Sequence, residues 1–287
     1  MSCHDFHPPE AQARGSTHSA QSVHRQGRTP IPVPDLPSVR HLVSPEEWQA
    51  RLDLAACYRL IARYGWTDLS ATHTSLAVPG SDNQHFLINP HGMLFEQVTA
   101  SSLVKIDWQG IPVMPSPYGV NPAGFVIHSA IHMARPDAVC VMHTHTVAGM
   151  AVSMQEHGLL FASQHACFFH GNLGYHDIEH MEAGVDGRAI LARDLGPRWA
   201  LIMRSHGLLT CGRTVGEAFW LMHTLERACA AQIAALSGGA KLHPVSDKAA
   251  SWFGALVSEK DFSLDRAEKV WPSLRHLLDE TDPSYQR

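Results

Sequence analysis

The chain has 287 residues, of which 45% are hydrophobic and 17% charged, enough apolar material for one large domain or two small ones. It carries 22 Lys and Arg against 27 Asp and Glu, a formal net charge of −5. This balance argues against nucleic-acid and anionic-membrane binding, since both depend on clustered positive charge. No run of about 18 apolar residues is present, so no membrane-spanning helix is predicted.

Histidine and cysteine usage narrows the chemistry further. The 21 histidines nearly equal all the Lys and Arg together, which makes metal binding the first hypothesis to test. None of the six cysteines forms a C-x-x-C pair, and the N-terminus has no apolar signal segment. We therefore expect reduced thiols and a cytoplasmic location. The cysteines are Cys3, Cys57, Cys140, Cys167, Cys211 and Cys229.

The chain divides into three predicted regions. Residues 1–43 are rich in proline and polar residues without apolar periodicity, and are predicted to form a disordered or loosely attached arm. Order begins at Ser44, which can cap a helix that starts at Pro45, with Glu47 completing a capping box. That helix is predicted to end at Gly65. Residues 44–240 form the predicted main domain, and 241–287 a helical extension.

Short strands and helices follow one another through the main domain. Predicted strands cover 74–78, 85–88, 103–107, 138–142, 200–204 and 208–211, and predicted helices cover about 122–135, a short segment from 147, and 214–236. Residues 163–180 are expected to be irregular. The elements do not alternate as regular βαβ units, and no glycine-rich nucleotide motif is present. We therefore predict a single three-layer α/β/α domain.

The strongest chemical signal is His143-Thr144-His145 at the end of an apolar strand. Residues two apart on a strand project to the same face, so both imidazoles can bind one ion. His206 follows another apolar strand and is a third candidate ligand. The alternative is a set of unconnected surface histidines. A three-imidazole site with an open position suits catalytic zinc, although Fe²⁺ and Mn²⁺ fit the same ligands.

Several segments together resemble the class II aldolase/adducin family. They are Tyr64-Gly65-Trp66-Thr67, His85-Phe86-Leu87-Ile88, residues 98–106, residues 123–153 with the H-x-H, and residues 202–208 with the second histidine element. The resemblance covers about residues 45–237. It implies an α/β/α fold around a mostly antiparallel sheet and a homotetramer with active sites near subunit contacts. It also implies a divalent metal, typically zinc, held by His143, His145 and His206.

Departures from the family pattern bear on the reaction. The sugar-phosphate aldolases carry a catalytic acid/base glutamate where this chain has Gly124, and two phosphate-binding serines where it has Pro122 and Ala123. Their catalytic tyrosine aligns near Gln164. A sugar-phosphate aldolase is therefore disfavoured. Residues 120–125 resemble the adducin head domain instead, although the lysine-rich adducin tail is not present in this sequence.

Other residues are candidates for acid/base work and substrate binding. His128 shares a helix face with His132, and His128 stands at a recurrent histidine position of the family, so it is a candidate proton carrier. His165 and Tyr175 lie in the His-rich stretch after the H-x-H and could also reach the metal. Each can equally be a core or solvated side chain. The predicted substrate-binding residues are Asn89, His91, Gly92 and Asn121.

The function expected from these residues is a metal-dependent lyase. It would cleave a carbon–carbon bond of a small hydroxy or keto carboxylate, by retro-aldol reaction or decarboxylation, through an enolate held by the metal. One alternative is a non-haem Fe²⁺ oxygenase with the same ligands. The other is a non-catalytic scaffold like adducin, so enzymatic activity itself stays open. The expected partners are a small-molecule substrate and further copies of the chain, with neither nucleic acid nor membrane.

Overall fold

A computed structural model describes residues 33–180, 187–258 and 261–287. Most of the predicted N-terminal arm therefore lies outside the described residues. The described part of it runs as extended chain into a single 3-10 turn, Arg40–Leu42, immediately before the first helix.

The described ranges hold eight α-helices and seven β-strands. The helices are α1 Pro45–Tyr64, α2 Pro122–Ala134, α3 Val147–Ser153, α4 Gln164–Cys167, α5 Arg188–Leu195, α6 Val215–Ser237, α7 Asp247–Ser258 and α8 Phe262–Thr281. The strands are β1 His73–Ala77, β2 Phe86–Ile88, β3 Val104–Ile106, β4 Cys140–Thr144, β5 Leu173–His176, β6 Ala200–Met203 and β7 Gly207–Gly212. None of these helices combines the length and the hydrophobicity that a bilayer-spanning helix needs.

The strands form one sheet in the order β3-β2-β1-β4-β7-β6-β5. Every neighbouring pair is antiparallel except β5 and β6, which are parallel. Helices α1 and α6 cover one face with the larger apolar core, and α2 and α5 cover the other face with a smaller one. This arrangement confirms the predicted three-layer α/β/α fold with a mostly antiparallel sheet.

Helix α1 begins and ends as predicted, but its capping box is incomplete. The Ser44 hydroxyl accepts the backbone N–H of Glu47 at 3.1 Å, and Gly65 ends the helix in the left-handed conformation with φ 72°. The Glu47 carboxylate instead accepts from the buried Arg51 guanidinium at 3.0 Å and from Lys105 at 2.7 Å. A buried guanidinium needs an anionic partner. The Glu47 carboxylate therefore pairs with Arg51 instead of completing the capping box at Ser44.

Two differences between the predicted and the observed elements lie close to the candidate site residues. Strand β4 ends at Thr144, two residues later than expected, so His143 lies inside the strand and only His145 follows it. The stretch predicted to be irregular contains α4 and the edge strand β5. β5 has only four residues, among them Gly174, and it forms because β6 offers a parallel partner across Tyr175 and Ile202. Such tertiary pairing is invisible in local composition.

The C-terminal helices pack on the main domain of the same chain. Helix α8 contacts α6 and α1, and the Trp271 indole N–H donates to Asp53 on α1 at 3.0 Å. After α8, a 3-10 turn places Tyr285 in the core with no exposed surface, and its carbonyl accepts the Ala100 N–H at 2.8 Å. The end of the chain thereby joins the loop that precedes β3.

Candidate metal centre

Three histidines meet where β4 ends and β7 begins. His143 is in the ladder with β7, opposite Leu209, His145 is the next residue but one, and His206 lies in the turn from β6 to β7. The His145 Nε2 atom is 2.8 Å from Nε2 of His143 and 2.9 Å from Nε2 of His206. The ligand atoms of all three lie within 4.8 Å of one another. His143 is buried, while His145 and His206 are partly exposed, so the cluster opens to solvent on one side.

A tight turn brings His206 to the other two rings. Ser205 takes a left-handed conformation with φ 55°, which reverses the chain immediately before His206. At Gly207 a Cβ would stand 2.3 Å from the carbonyl oxygen of Thr144, an impossible contact. The glycine therefore permits the close approach of β7 to the end of β4.

The protonation pattern of the cluster suits a cation. His143 Nδ1 donates to the Leu208 carbonyl at 2.8 Å, and His145 Nδ1 donates to the Asp68 carboxylate at 3.0 Å. In its neutral form each of these two imidazoles carries its one hydrogen on Nδ1, which leaves Nε2 as a lone pair that can bind a cation. Burial and the neighbouring rings lower the pKa of His143 well below its usual value, and that of His206 to about 4. Converging lone pairs on neutral rings are the donor set that a divalent metal requires.

Asp68 is a functional candidate that the sequence reasoning missed. It precedes β1 in an irregular segment, far from His145 in sequence, and no spacing motif connects the two. A carboxylate that accepts the outer N–H of a metal-binding histidine fixes its tautomer and orientation and makes its other nitrogen a better ligand. Asp68 is about half exposed, so it also adds negative charge at the mouth of the site.

Replacing Asp68 with alanine is expected to weaken zinc binding about tenfold, because His145 then loses the group that orients it. The measurement is competition for zinc against a chelator of known affinity. Glu268→Ala, which removes an exposed carboxylate on α8, is the matched control and should leave zinc affinity unchanged. Equal zinc affinity in wild type and Asp68→Ala would remove Asp68 from the site.

A buried carboxylate also lies behind the H-x-H segment. Glu226 on α6 accepts from the hydroxyls of Thr144 at 2.9 Å and Thr146 at 2.5 Å, the residues on either side of His145. Burial raises the pKa of Glu226. The Thr146 hydroxyl also accepts the Gly149 N–H at the start of α3. Glu226 thus fixes the chain that carries His145 from the opposite face of the sheet.

His128 and His132 lie in the core rather than beside the cluster. The Ser75 hydroxyl contacts His128 Nδ1 at 2.6 Å and His132 Nε2 at 2.7 Å, so it donates to one ring and accepts from the other. Burial lowers the pKa of His132 to about 4 and that of His128 well below its usual value. This buried bridge joins α2 to β1. Within the described residues, His128 does not contact the three clustered histidines.

Acid should destabilise the metal-free protein through these buried rings. The pKa of His132 is about 4 in the folded state and about 6.5 when unfolded, so only the unfolded chain takes up this proton between those values. The contribution to stability is complete above pH 6.5 and is lost as the pH falls to 4, with a slope of up to about 1.4 kcal/mol per pH unit. Denaturant unfolding at stepped pH measures it. His132→Gln should reduce the slope, and an unchanged slope would contradict this assignment.

The structure does not bring the other two predicted catalytic residues to the cluster. His165 is exposed on α4, and its electrostatic neighbour is His223 on α6. The Tyr175 hydroxyl accepts the Leu159 N–H at 3.1 Å, and its ring lies under the Arg204 guanidinium. Within the described residues neither side chain contacts the three histidines. Their geometry gives no support to a catalytic role and makes Tyr175 an anchor for the loop after α3.

The predicted substrate-binding residues lie at three places in the structure. Asn89 is buried and turned toward α1, where its Oδ1 accepts from the Tyr58 hydroxyl at 2.9 Å and its Nδ2 has no partner. His91 and Gly92 are exposed in the turn after β2, and Gly92 has φ 82°. Asn121 precedes α2 and its carbonyl accepts the first helical N–H bond, from Phe125. His91 lies close enough to His73 on β1 to lower the pKa of His73, so this turn is near the start of β1.

The fold and this three-histidine centre define an aldolase-type α/β protein. Residues 52–233 match the model of the class II aldolase and adducin N-terminal domain, so the chain belongs to that family. A provisionally named aldolase class 2 protein of Pseudomonas aeruginosa is 46% identical over 89% of this chain and 99% of its own length. Alpha-adducin of Rattus norvegicus is 44% identical over 65% of this chain, which spans about a quarter (26%) of adducin.

Solved structures agree with this assignment. An aldolase II superfamily protein from Pseudomonas syringae superposes with a TM-score of 0.82 at 43% identity, over 87% of this chain and 99% of that one. An L-fuculose 1-phosphate aldolase from Glaciozyma antarctica superposes with a TM-score of 0.72 at 28% identity, over 86% and 95% of the two chains. The family resemblance and the fold predicted from the sequence are both confirmed.

Proposed function

We propose that this protein is a metal-dependent lyase that cleaves a carbon–carbon bond of a small hydroxy or keto carboxylate, by retro-aldol reaction or decarboxylation. The observation that carries the proposal is the convergence of three imidazoles, with Nε2 of His145 2.8 Å from Nε2 of His143 and 2.9 Å from Nε2 of His206. Membership of the class II aldolase family is consistent with a metal-dependent aldolase or lyase.

His143, His145 and His206 would hold the metal, and we propose zinc because three imidazoles with an open position are typical of catalytic zinc. The ion would supply a Lewis acid that stabilises negative charge developing on a substrate oxygen. Asp68 and the Leu208 carbonyl keep two of the rings in the tautomer that presents Nε2. The partly exposed side of the cluster, at His145 and His206, is where a small substrate would enter.

The test is elemental analysis of protein purified without an affinity tag, followed by an activity screen on hydroxy and keto acids. We expect about one zinc per chain, and turnover that disappears on chelation and returns when zinc is added back. Iron in place of zinc, with substrate-dependent oxygen consumption, would contradict the lyase and support the non-haem Fe²⁺ oxygenase. Protein that takes up no metal even on reconstitution would overturn both.

We also propose a cytoplasmic homotetramer. The cysteines of the described part of the chain are free and buried, which suits a reducing compartment, and family relatives are often oligomeric. Size-exclusion chromatography with light scattering tests the tetramer.

The 44% identity to alpha-adducin favours one alternative, a non-catalytic scaffold. A scaffold has no need of a metal at the three histidines, whereas the lyase depends on it. Wild-type protein that binds no zinc but sediments with actin filaments would support the scaffold.

A further inference from the structure

His73 is a buried histidine whose hydrogen-bonding groups are unused. It opens β1 directly opposite His143 in the β1–β4 ladder, so the two side chains project from the same face of the sheet. Its side chain is 3% exposed, and neither ring nitrogen has a partner. Buried polar groups without partners are rare in folded proteins and call for an explanation. One explanation is a ligand that supplies the missing partners.

The ring fills the space that a side chain at position 124 would need. A Cβ built on Gly124 would stand 2.6 Å from Nδ1 of His73 and 2.7 Å from Cγ and Cε1. No residue but glycine fits there while His73 keeps its place. The family resemblance puts the acid/base glutamate of the aldolases at this position. In this chain the polar group in that space is an imidazole that comes from β1 instead of a carboxylate from α2.

The two groups differ in what they can bind. An imidazole keeps at least one N–H donor whether or not it is protonated. A neutral imidazole has one N–H donor and one bare acceptor, while a carboxylate has acceptors only and a negative charge. The N–H of an imidazole here can therefore donate a hydrogen bond to an anionic oxygen that a glutamate would repel. Hydrogen bonds to an ionised oxygen are also the stronger kind.

The surroundings hold the ring in this position. His73 packs edge-on against His128, with ring centroids 5.9 Å apart, and His128 is tied to Ser75 on the same strand. His91 and His145, which both reach solvent, lie near His73. A ligand that enters beside these two rings would meet His73 next to the three clustered histidines.

We infer that His73 takes the place of the missing glutamate as a substrate-binding residue, and that it selects substrates that present a carboxylate beside the metal. This inference rests on the proposed function, since it assumes a metal at His143, His145 and His206. It predicts that a small carboxylate binds to the zinc-loaded protein through His73 as well as through the metal.

The probe is oxalate, titrated by calorimetry into zinc-loaded protein at pH 7.5. We expect His73→Ala to keep its zinc and to bind oxalate roughly tenfold more weakly, the effect of losing one charge-assisted hydrogen bond. His157→Ala, which removes an exposed histidine after α3, is the matched control and should bind oxalate like wild type. Unchanged oxalate affinity in zinc-loaded His73→Ala would overturn the inference.

A second pair of variants tests the shared space directly. Gly124→Ala should displace His73, weaken oxalate binding about as much as His73→Ala, and lower Tm. In the His73→Ala background the same change should have no further effect on oxalate and should raise Tm by roughly 2 °C, because alanine is the better helix former. Additive losses of oxalate affinity would show that the two residues act separately and would overturn the inference.

The outcomes separate this inference from the proposed function. Wild-type protein that binds no zinc contradicts the proposed function itself. Zinc-loaded wild type that binds no oxalate contradicts a carboxylate substrate, in this inference and in the proposed function alike. Equal oxalate affinity in wild type and His73→Ala contradicts only the role of His73.

Discussion

Replacing His206 with alanine is expected to cost the protein its metal. Apparent zinc-binding free energies of about 10–16 kcal/mol in small proteins are shared among four ligands, so one ligand is worth about 2.5–4 kcal/mol, on the order of a hundredfold to a thousandfold in affinity. The fold should survive, because His206 is only partly buried and its Nδ1 has no partner to lose. Zinc content after dialysis should fall from about one per chain to near zero, and any lyase activity with it.

His165→Ala is the matched control, since it also removes one imidazole, but from the exposed face of α4. It should retain zinc with wild-type affinity, and its activity tests the predicted catalytic role of His165 at the same time. A His206→Ala protein that keeps one zinc per chain at wild-type affinity would show that the metal is bound elsewhere.

Replacing Tyr285 with alanine is expected to lower the free energy of unfolding by about 3–5 kcal/mol, the usual cost of deleting a large aromatic side chain from a core. Tyr285 has no exposed surface, and its hydroxyl donates to Asp279 at 2.5 Å and accepts from Arg275 at 3.0 Å. Arg275 in turn contacts Asp53 on α1. The loss should therefore reach the main domain. Urea unfolding followed by circular dichroism measures it.

Two further variants calibrate that result. Tyr285→Phe keeps the ring and loses only the hydroxyl contacts, so it should cost about 1 kcal/mol. Gln286→Ala, at the exposed neighbouring position, should change stability by less than about 0.5 kcal/mol. A loss of under about 1 kcal/mol for Tyr285→Ala would mean that the C-terminal residues are an appendage that unfolds independently.

The layers of the fold were predictable because helix signals in this chain are strong and local. Ser44 and Gly65 frame α1, and Thr214 caps α6 by accepting the Glu217 N–H. Strand β5 was not predictable in the same way. Its four residues are too few for an alternating pattern to stand out, and it exists because β6 and the Asp194 end of α5 lie beside it. Segments that owe their structure to distant partners leave little trace in the local sequence.

The clustering of the three histidines was predictable from residues at strand ends, since strand geometry alone puts His143 and His145 on one side. The residues that surround these histidines were not predictable. Asp68 reaches His145 from an irregular segment. No motif marked His73, which lies immediately before the predicted strand. The role of Gly124 was likewise hidden, because the sequence shows an absent side chain but not the ring that fills its space.

The close contact between Gly124 and His73 also restricts how this site can have evolved. A side chain at position 124 and an imidazole at position 73 in its present place exclude each other, so a change at either position depends on the residue at the other. A glutamate at position 124 is excluded in the same way until His73 is replaced. A single substitution that places a glutamate at position 124 is therefore expected to disrupt the site, and a design that restores the glutamate has to replace His73 first or at the same time.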